Sequence, residues 1–305
     1  MRAGRRARRK PFPAGDGAPS LGRMRTVAIP PAHDVELCHA DGRAPLLLLC
    51  DHAGRRVPGG RDRLGISEEA LSRHIGWDIG AAEVTRALAR SLDAPALLNH
   101  VSRLVIDPNR RPGTATSIPA ISDGCVVPGN EGLALEAVIE RVRCHFLPYH
   151  RAVARRIGAF RREGRVPAVI AVHSFTPVMN GEDRPWQVGI LWRGDQRLSA
   201  PVLAALRARG DLVVGDNQPY SGIRDFGFTV QFHAQRPRLP HVMIEVRQNE
   251  IDTPEGAQRY AAILHAALAP TLAEPALYRL HEGDNLDRAG GLISWRHATQ
   301  DSPLA

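Results

Sequence analysis

Three short apolar runs, each closed by ionisable groups, constrain this chain more than any other feature. Residues 45–50 read PLLLLC and hand over to Asp51 and His52. Residues 168–172 read AVIAV and end on His173 and Ser174. Residues 241–246 read HVMIEV, with Glu245 inside the run and Arg247 after it. A strand-sized apolar run without alternation is what a strand buried on both faces requires. A fourth segment, LVI at 104–106, ends in Asp107 and is followed by Asn109 and Arg110. Residues 96–98, 187–192 and 212–214 are further strand candidates. Between the strands lie helical patterns. Ser67 precedes Glu68 and Glu69, an N-cap followed by acids in the first turn. The stripe Ile79, Ala82, Val84, Leu88 and Leu92 predicts a helix over 78–92. One long helix is expected over 133–163, bent at Pro148, with others over 199–209 and 254–272. Residues 112–132, rich in Gly, Pro, Ser and Thr, predict a long loop. Strands alternating with helices give an α/β layer fold around a mostly parallel sheet.

No linker-like composition interrupts residues 27–275, so they read as one domain. A basic tail precedes it over 1–26, and a loosely ordered end follows over 276–305. Of 305 residues, 43% are hydrophobic and 24% charged, which excludes wholesale disorder. Cys38, Cys50, Cys125 and Cys144 have no C-x-x-C spacing, so neither a disulfide-stapled fold nor a cysteine-built zinc site is expected. The net charge of +8 belongs to the tail: residues 1–26 carry +7 of it. A nucleic-acid-binding domain carries its positive charge on the fold. The tail therefore reads as a solvated, disordered extension, and no specific nucleic-acid partner is expected. No apolar stretch follows the paired arginines, and no run reaches the ~18 apolar residues of a membrane span. The expectation is a cytoplasmic protein without a membrane anchor.

In open α/β sheets, chemistry gathers beyond the carboxyl ends of the strands. Here those ends carry ionisable or strongly polar groups. Two histidines from separate strands and a carboxylate suit zinc, which in catalytic sites takes three protein ligands and keeps one position for water. His52 and His173 are the candidate imidazoles. Asp78 and Asp51 compete for the third position, and adjacent residues at a strand end point to opposite sides, which counts against Asp51. Each residue also has a structural reading: a hydrogen-bonded core histidine, or, for Asp78, an acid at a helix N-terminus. Glu245 is harder to explain structurally, because a carboxylate inside an apolar strand must be paired or functional. Arg247 is a candidate salt-bridge partner for it. As a functional group, Glu245 suits a general base. Arg103, Arg110 and Arg247 suit a substrate carboxylate or a developing oxyanion. Asp107 and Asn109 flank Pro108, as turn residues do. Ser174 lacks the G-x-S-x-G surroundings of a serine nucleophile, and His150 reads as structural or exposed.

The stretches CDHAGRRVP (50–58), RHIGWDIGAAEV (73–84), SRLVIDPNR (102–110), SIPAISDGCVVPGN (117–130), AVHSFTPVMNG (171–181) and GDNQPYSG (215–222) together resemble the N-formylglutamate amidohydrolase family. The resemblance implies a three-layer α/β fold like that of the zinc carboxypeptidases, with a mixed, mostly parallel central sheet flanked by helices. It implies a zinc-dependent amidohydrolase for a small-molecule N-acyl amino acid. The named activity removes formate from N-formyl-L-glutamate, in histidine degradation. By the same comparison zinc is expected on His52, Asp78 and His173. The carboxypeptidases carry a glutamate three residues after their first histidine. Here that position is Arg55, which moves the third ligand to Asp78. Glu245 matches the general base, Arg103 the arginine that polarises the scissile carbonyl, and Asn109 with Arg110 the grip on the α-carboxylate. The same blocks accommodate a zinc deacylase or carboxypeptidase for another N-acyl amino acid, or a non-catalytic binding protein on the same fold. Arg224 and His233 are candidates for a distal substrate carboxylate.

Overall fold

A computed structural model describes residues 34–59, 62–222 and 227–283. The basic tail, the segment holding Arg224 and the chain after residue 283 lie outside the described residues. Seven strands form the central sheet: β1 (Val35–Cys38), β2 (Leu46–Cys50), β3 (Ala96–Asn99), β4 (Ala168–Phe175), β5 (Val188–Leu191), β6 (Val214–Asp216) and β7 (His241–Arg247). Their order is β1-β3-β2-β4-β7-β5-β6. Strands β3, β2, β4 and β7 run parallel to one another. Strand β1 is antiparallel to β3, β5 is antiparallel to β7, and β6 follows β5. The helices are α1 (Glu68–Ser72), α2 (Ala81–Ser91), α3 (Leu135–Arg141), α4 (Leu147–Arg162), α5 (Ser199–Ala208), α6 (Phe228–Val230) and α7 (Pro254–Leu272). No helix among the described residues is long and apolar enough to cross a membrane.

The apolar runs are continuous because both faces of the sheet are covered. Leu46, Leu48, Ile170, Val172, Val242 and Ile244 share one core with residues of α2, α5 and α7. Leu47, Leu49, Val169, Ala171 and Met243 share the other with Tyr149, Val153 and Ile157 of α4. With side chains alternating across the pleat, every position of β2 needs an apolar group, and all five are buried. This is a mixed, mostly parallel sheet between helical layers, as expected.

Several boundaries differ from the sequence reading. Residues 104–106 are not a strand. They form a turn whose side chains fill a third, smaller core with Leu64, Ile75, Val127 and Phe146. Side chains satisfy its backbone where a strand partner would otherwise do so. Asn130 Nδ2 donates to the Leu104 carbonyl at 2.8 Å, and Arg141 donates to that of Val105 at 2.9 Å. Helix α2 starts at Ala81 and not at Asp78, because Gly80 sits at φ 77°. That left-handed turn stops the helix extending backwards and frees Asp78 from the helix. The long helix over 133–163 is broken by a π-helical turn, Val142–Phe146, before Pro148. The proline has no N–H to give the preceding turn. Strand β4 runs on through His173 to Phe175, so His173 lies inside a strand and not after one. The loop over 112–132 contains a small hairpin, Ile121–Ser122 with Cys125–Val126. Beyond α7, Arg197, itself bonded to Asp195, donates to the carbonyls of Leu277 and Arg279.

Truncating Leu48, wholly buried at the centre of the sheet, is expected to destabilise the protein by about 2–5 kcal/mol. Urea unfolding of Leu48→Ala should show a lower midpoint at unchanged slope. A shift worth under about 1 kcal/mol would contradict this packing.

Candidate active site

The register of the sheet lines up the first groups. His173 on β4 pairs with Glu245 on β7, Glu245 with Gly189 on β5, and Gly189 with Gly215 on β6. Paired residues share a face, so these four positions form one row across the sheet. It lies on the same face as Ala171 and Met243, two residues earlier on their strands. Asp51 and His52 enter from the end of β2. The His52 carbonyl accepts the Asp78 N–H at 3.0 Å, which fixes the turn before α2 against the same strand end.

His52, Asp78 and His173 converge. His52 Nδ1 lies 3.2 Å from Asp78 Oδ2, and His173 Nδ1 lies 2.8 Å from the same oxygen. Each residue offers one ligand atom, and these atoms all lie within 4.8 Å of one another. The far nitrogens are backed by further carboxylates. His52 Nε2 meets Asp107 Oδ1 at 2.8 Å. His173 Nε2 approaches Asp51 Oδ2 at 3.3 Å, an ion-pair distance without hydrogen-bond geometry. Tyr149 donates to the other oxygen of Asp51 at 2.7 Å. Arg103 spans two acids, with NH1 on Asp78 Oδ1 at 3.2 Å and NH2 on Asp107 Oδ2 at 3.1 Å. A carboxylate stands behind the far nitrogen of each imidazole while both Nδ1 atoms face Asp78 Oδ2, and carboxylates behind histidines are what orients such rings for a metal.

The electrostatics point the same way. The cluster is buried, and the carboxylates of Asp51, Asp78, Asp107 and Glu245 outnumber the guanidinium of Arg103. Burial opposes charge on both imidazoles, yet the surrounding acids prevail and raise the pKa values of His52 and His173. Burial likewise works against ionised Asp78 and Asp107, but the imidazoles and Arg103 hold both well below the usual carboxylate range. The site is therefore short of positive charge, and two nitrogens and an oxygen are gathered to receive it. A divalent cation fits both the charge and the donor set. Glu245 differs from the other acids. It is 5% exposed, and its Oε2 has no hydrogen-bond partner among the described residues. Burial pushes its pKa up to about 7, against the opposing charge of His173.

The remaining candidates scatter around this centre. The Asn109 N–H donates to Asp107 Oδ1 at 2.8 Å, and Asn109 Oδ1 accepts the Thr229 N–H at 3.0 Å. Asn109 thus joins the Asp107 turn to α6. Arg110 follows in that turn, with NH1 on the Asn109 carbonyl at 3.2 Å. Arg247 pairs with Glu250 at 2.8 Å and reaches the carbonyls of Arg184 and Pro185, so it is not the partner of Glu245. Asp51 backs His173 and stands outside the converging set. Asp107, read from sequence as a turn residue, is the acid that orients His52. Its signal was available, since it closes an apolar run as Asp51 does. Tyr149 carried no signal, because a tyrosine on a helix reads as core. His150 is buried: its Nδ1 contacts His233 Nε2 at 2.9 Å and its Nε2 meets the Pro108 carbonyl at 3.0 Å. Burial lowers the pKa of both, His150 to about 4. His233 is therefore neutral at pH 7 and ill suited to gripping a carboxylate.

Known proteins resemble this chain over the same stretch. The family model for N-formylglutamate amidohydrolase matches residues 44–251, a span that contains every residue of the cluster. A gene product of Agrobacterium tumefaciens of known structure is 33% identical, with a TM-score of 0.75 over 79% of this chain and 95% of that one. The N-formylglutamate amidohydrolase of Ralstonia eutropha JMP134 shares the fold at 21% identity, with a TM-score of 0.63 over 78% of this chain and 97% of that one. No curated protein matches the chain.

Two outcomes test the site. Asp107→Asn removes the charge behind His52 and should weaken divalent-metal affinity about 10–100-fold, read by competition with a chromophoric chelator. Unchanged affinity would remove Asp107 from the site. The second outcome concerns the neutral histidine pair. A histidine with a depressed folded pKa binds its proton more readily when unfolded, so its stability contribution is lost as pH falls. For His150 the window runs from about 6.5 to about 4. Metal-free protein should lose urea stability across it, and a His150→Gln/His233→Gln double variant should lose less.

Proposed function

Because the chain belongs to the N-formylglutamate amidohydrolase family and is thus a hydrolase acting on amides, we propose that it cleaves the N-acyl amide of an N-acyl amino acid. The substrate that best suits this reading is N-formyl-L-glutamate, released as formate and L-glutamate. The observation that carries the reading is a buried carboxylate, Glu245, whose Oε2 has no hydrogen-bond partner among the described residues, beside a set of donors that could hold a cation. His52, Asp78 and His173 would hold the metal, and zinc suits their nitrogen-and-oxygen set. Bound there, zinc supplies a Lewis acid that makes water acidic near neutral pH.

The chain's own residues divide the remaining work. Glu245 takes the proton from the attacking water and later delivers it to the leaving nitrogen. A carboxyl group pushed up to about 7 is matched to both transfers at neutral pH. Its burial also leaves few competing waters to accept that proton. Arg103 holds Asp78 and Asp107 in place. Each terminal guanidinium nitrogen carries two N–H groups, so Arg103 retains donors for the oxyanion that develops at the acyl carbon. Asn109 has its Oδ1 occupied by Thr229, which leaves its Nδ2–H donors for the substrate α-carboxylate beside Arg110. That grip fixes the amide relative to Glu245 and turns an encounter into a near-unimolecular reaction.

Substitution separates the roles. Glu245→Gln should keep its metal and lose about 10²–10⁴-fold in turnover, followed by release of free amine from N-formyl-L-glutamate. His173→Ala should lose metal and activity together, as elemental analysis and the same assay would show. Full turnover by Glu245→Gln would remove it as the base.

A further inference from the structure

The block GDNQPYSG, residues 215–222, has no role in the site described so far, yet the fold seats it beside the base. Gly189 and Gly215 extend the cross-strand row that His173 and Glu245 begin. A Cβ on Gly189 would collide with the Gln218 carbonyl, and one on Gly215 would come within 2.9 Å of the Gln218 side chain. The two glycines therefore leave a floor on which the turn at Gln218 and Pro219 rests, level with Glu245.

Tyr220 follows that turn. The charges of Glu245 and Arg103 both act on its hydroxyl, whose pKa is raised by burial first and by Glu245 next. The guanidinium of Arg184 lies over its ring, 4.9 Å from the centroid, and donates to Tyr220 Oη at 3.1 Å. Arg184 closes the hairpin after β4, Val178–Met179 with Glu182–Asp183. Its own carbonyl is held by Arg247, two residues beyond Glu245 on β7, at 3.4 Å. Arg184 is thus tied to the strands that carry the reacting groups, and Tyr220 to the two strands beside them. No carboxylate pairs with Arg184 among the described residues. A guanidinium stacked on an aromatic ring keeps its edge donors for a planar anion. Tyr220 Oη accepts from Arg184, so its own hydrogen is left to donate. A cation paired with a tyrosine on which the charge of Glu245 acts also offsets negative field that would repel an acidic substrate.

We propose that Arg184 and Tyr220 form the side-chain subsite, with Arg184 binding the distal carboxylate of an acidic N-acyl amino acid and the Tyr220 hydroxyl donating a second hydrogen bond to it. This rests on the amidohydrolase reading above and adds which part of the substrate is selected and by what. Asn109 and Arg110 take the α-carboxylate, so the two carboxylates of the substrate are held at separate places around the scissile amide.

The test compares metal-loaded wild type, Arg184→Gln and Tyr220→Phe on N-formyl-L-glutamate and on its neutral isostere N-formyl-L-glutamine. Metal content of each variant is measured alongside. Wild type should favour the glutamate substrate by about 10–100-fold in kcat/KM, the range expected of a charged hydrogen-bonded pair. Arg184→Gln should bring that ratio to within about threefold of one, mainly through KM. Tyr220→Phe keeps the ring under Arg184 and should reduce the ratio by about 3–10-fold. An unchanged ratio in Arg184→Gln, an equal fall on both substrates, or a wild type without preference would each overturn the subsite while leaving the amidohydrolase intact. A metal-loaded wild type that hydrolyses no N-formyl amino acid would overturn the amidohydrolase reading, and the subsite with it.

Discussion

Uncompensated negative charge, held out of water at the end of a parallel sheet, is the constraint on which this structure turns. Asp51, Asp78, Asp107 and Glu245 lie within one buried cluster with Arg103 as its guanidinium. Burying one carboxylate without a partner is already costly. Burying several together is tolerable only if positive charge is supplied. The imidazoles of His52 and His173 supply it by binding protons more tightly than usual, and a divalent cation would supply it without them. The metal set and the carboxylates behind it are thus parts of one charge balance. Glu245 stands apart because its Oε2 has no hydrogen-bond partner among the described residues, and so remains available to move protons.

The fold serves this balance by dividing labour between rigid and irregular parts. His173 and Glu245 sit inside strands of the sheet centre, and their separation is set by the register of β4 and β7. Asp78, Arg103, Asp107 and Asn109 come from turns, but those turns are pinned. The Asp78 N–H bonds the His52 carbonyl, the Arg103 N–H bonds the Gly76 carbonyl and the Asp107 N–H bonds the Ser117 carbonyl. Behind them the apolar turn at 104–106 is packed on all sides. Irregular backbone buried in this way is as firmly placed as a strand, provided its polar groups are satisfied. Asn130 and Arg141 meet that condition from a distance.

Both faces of the sheet contribute to the same end. One face is filled mainly by apolar side chains of α2, α5 and α7. The other carries α4, whose Tyr149 hydroxyl and His150 ring reach Asp51 and the Pro108 carbonyl. The polar atoms of these core residues orient the groups that orient the imidazoles. Substitution there acts on the site through Asp51 or through the Asp107 turn, well away from any substrate.

Unalternating runs such as LLLLC and AVIAV determined the buried sheet, because only a strand covered on both faces requires apolar groups at every position. Polar groups at the ends of those runs located His52, His173 and Glu245, since a chain gains nothing by placing such groups there for packing. Local sequence could not decide what depends on distance through space. Whether 104–106 pairs as a strand rests on partners supplied by Asn130 and Arg141, 26 and 36 residues away. Whether Asp51 or Asp78 meets the imidazoles, whether Asp107 turns a chain or orients a histidine, and what stands beside Arg247 depended on which loops the sheet brings together. Hydrogen bonds and charge pairing act over a few ångströms, so only the folded chain sets those distances.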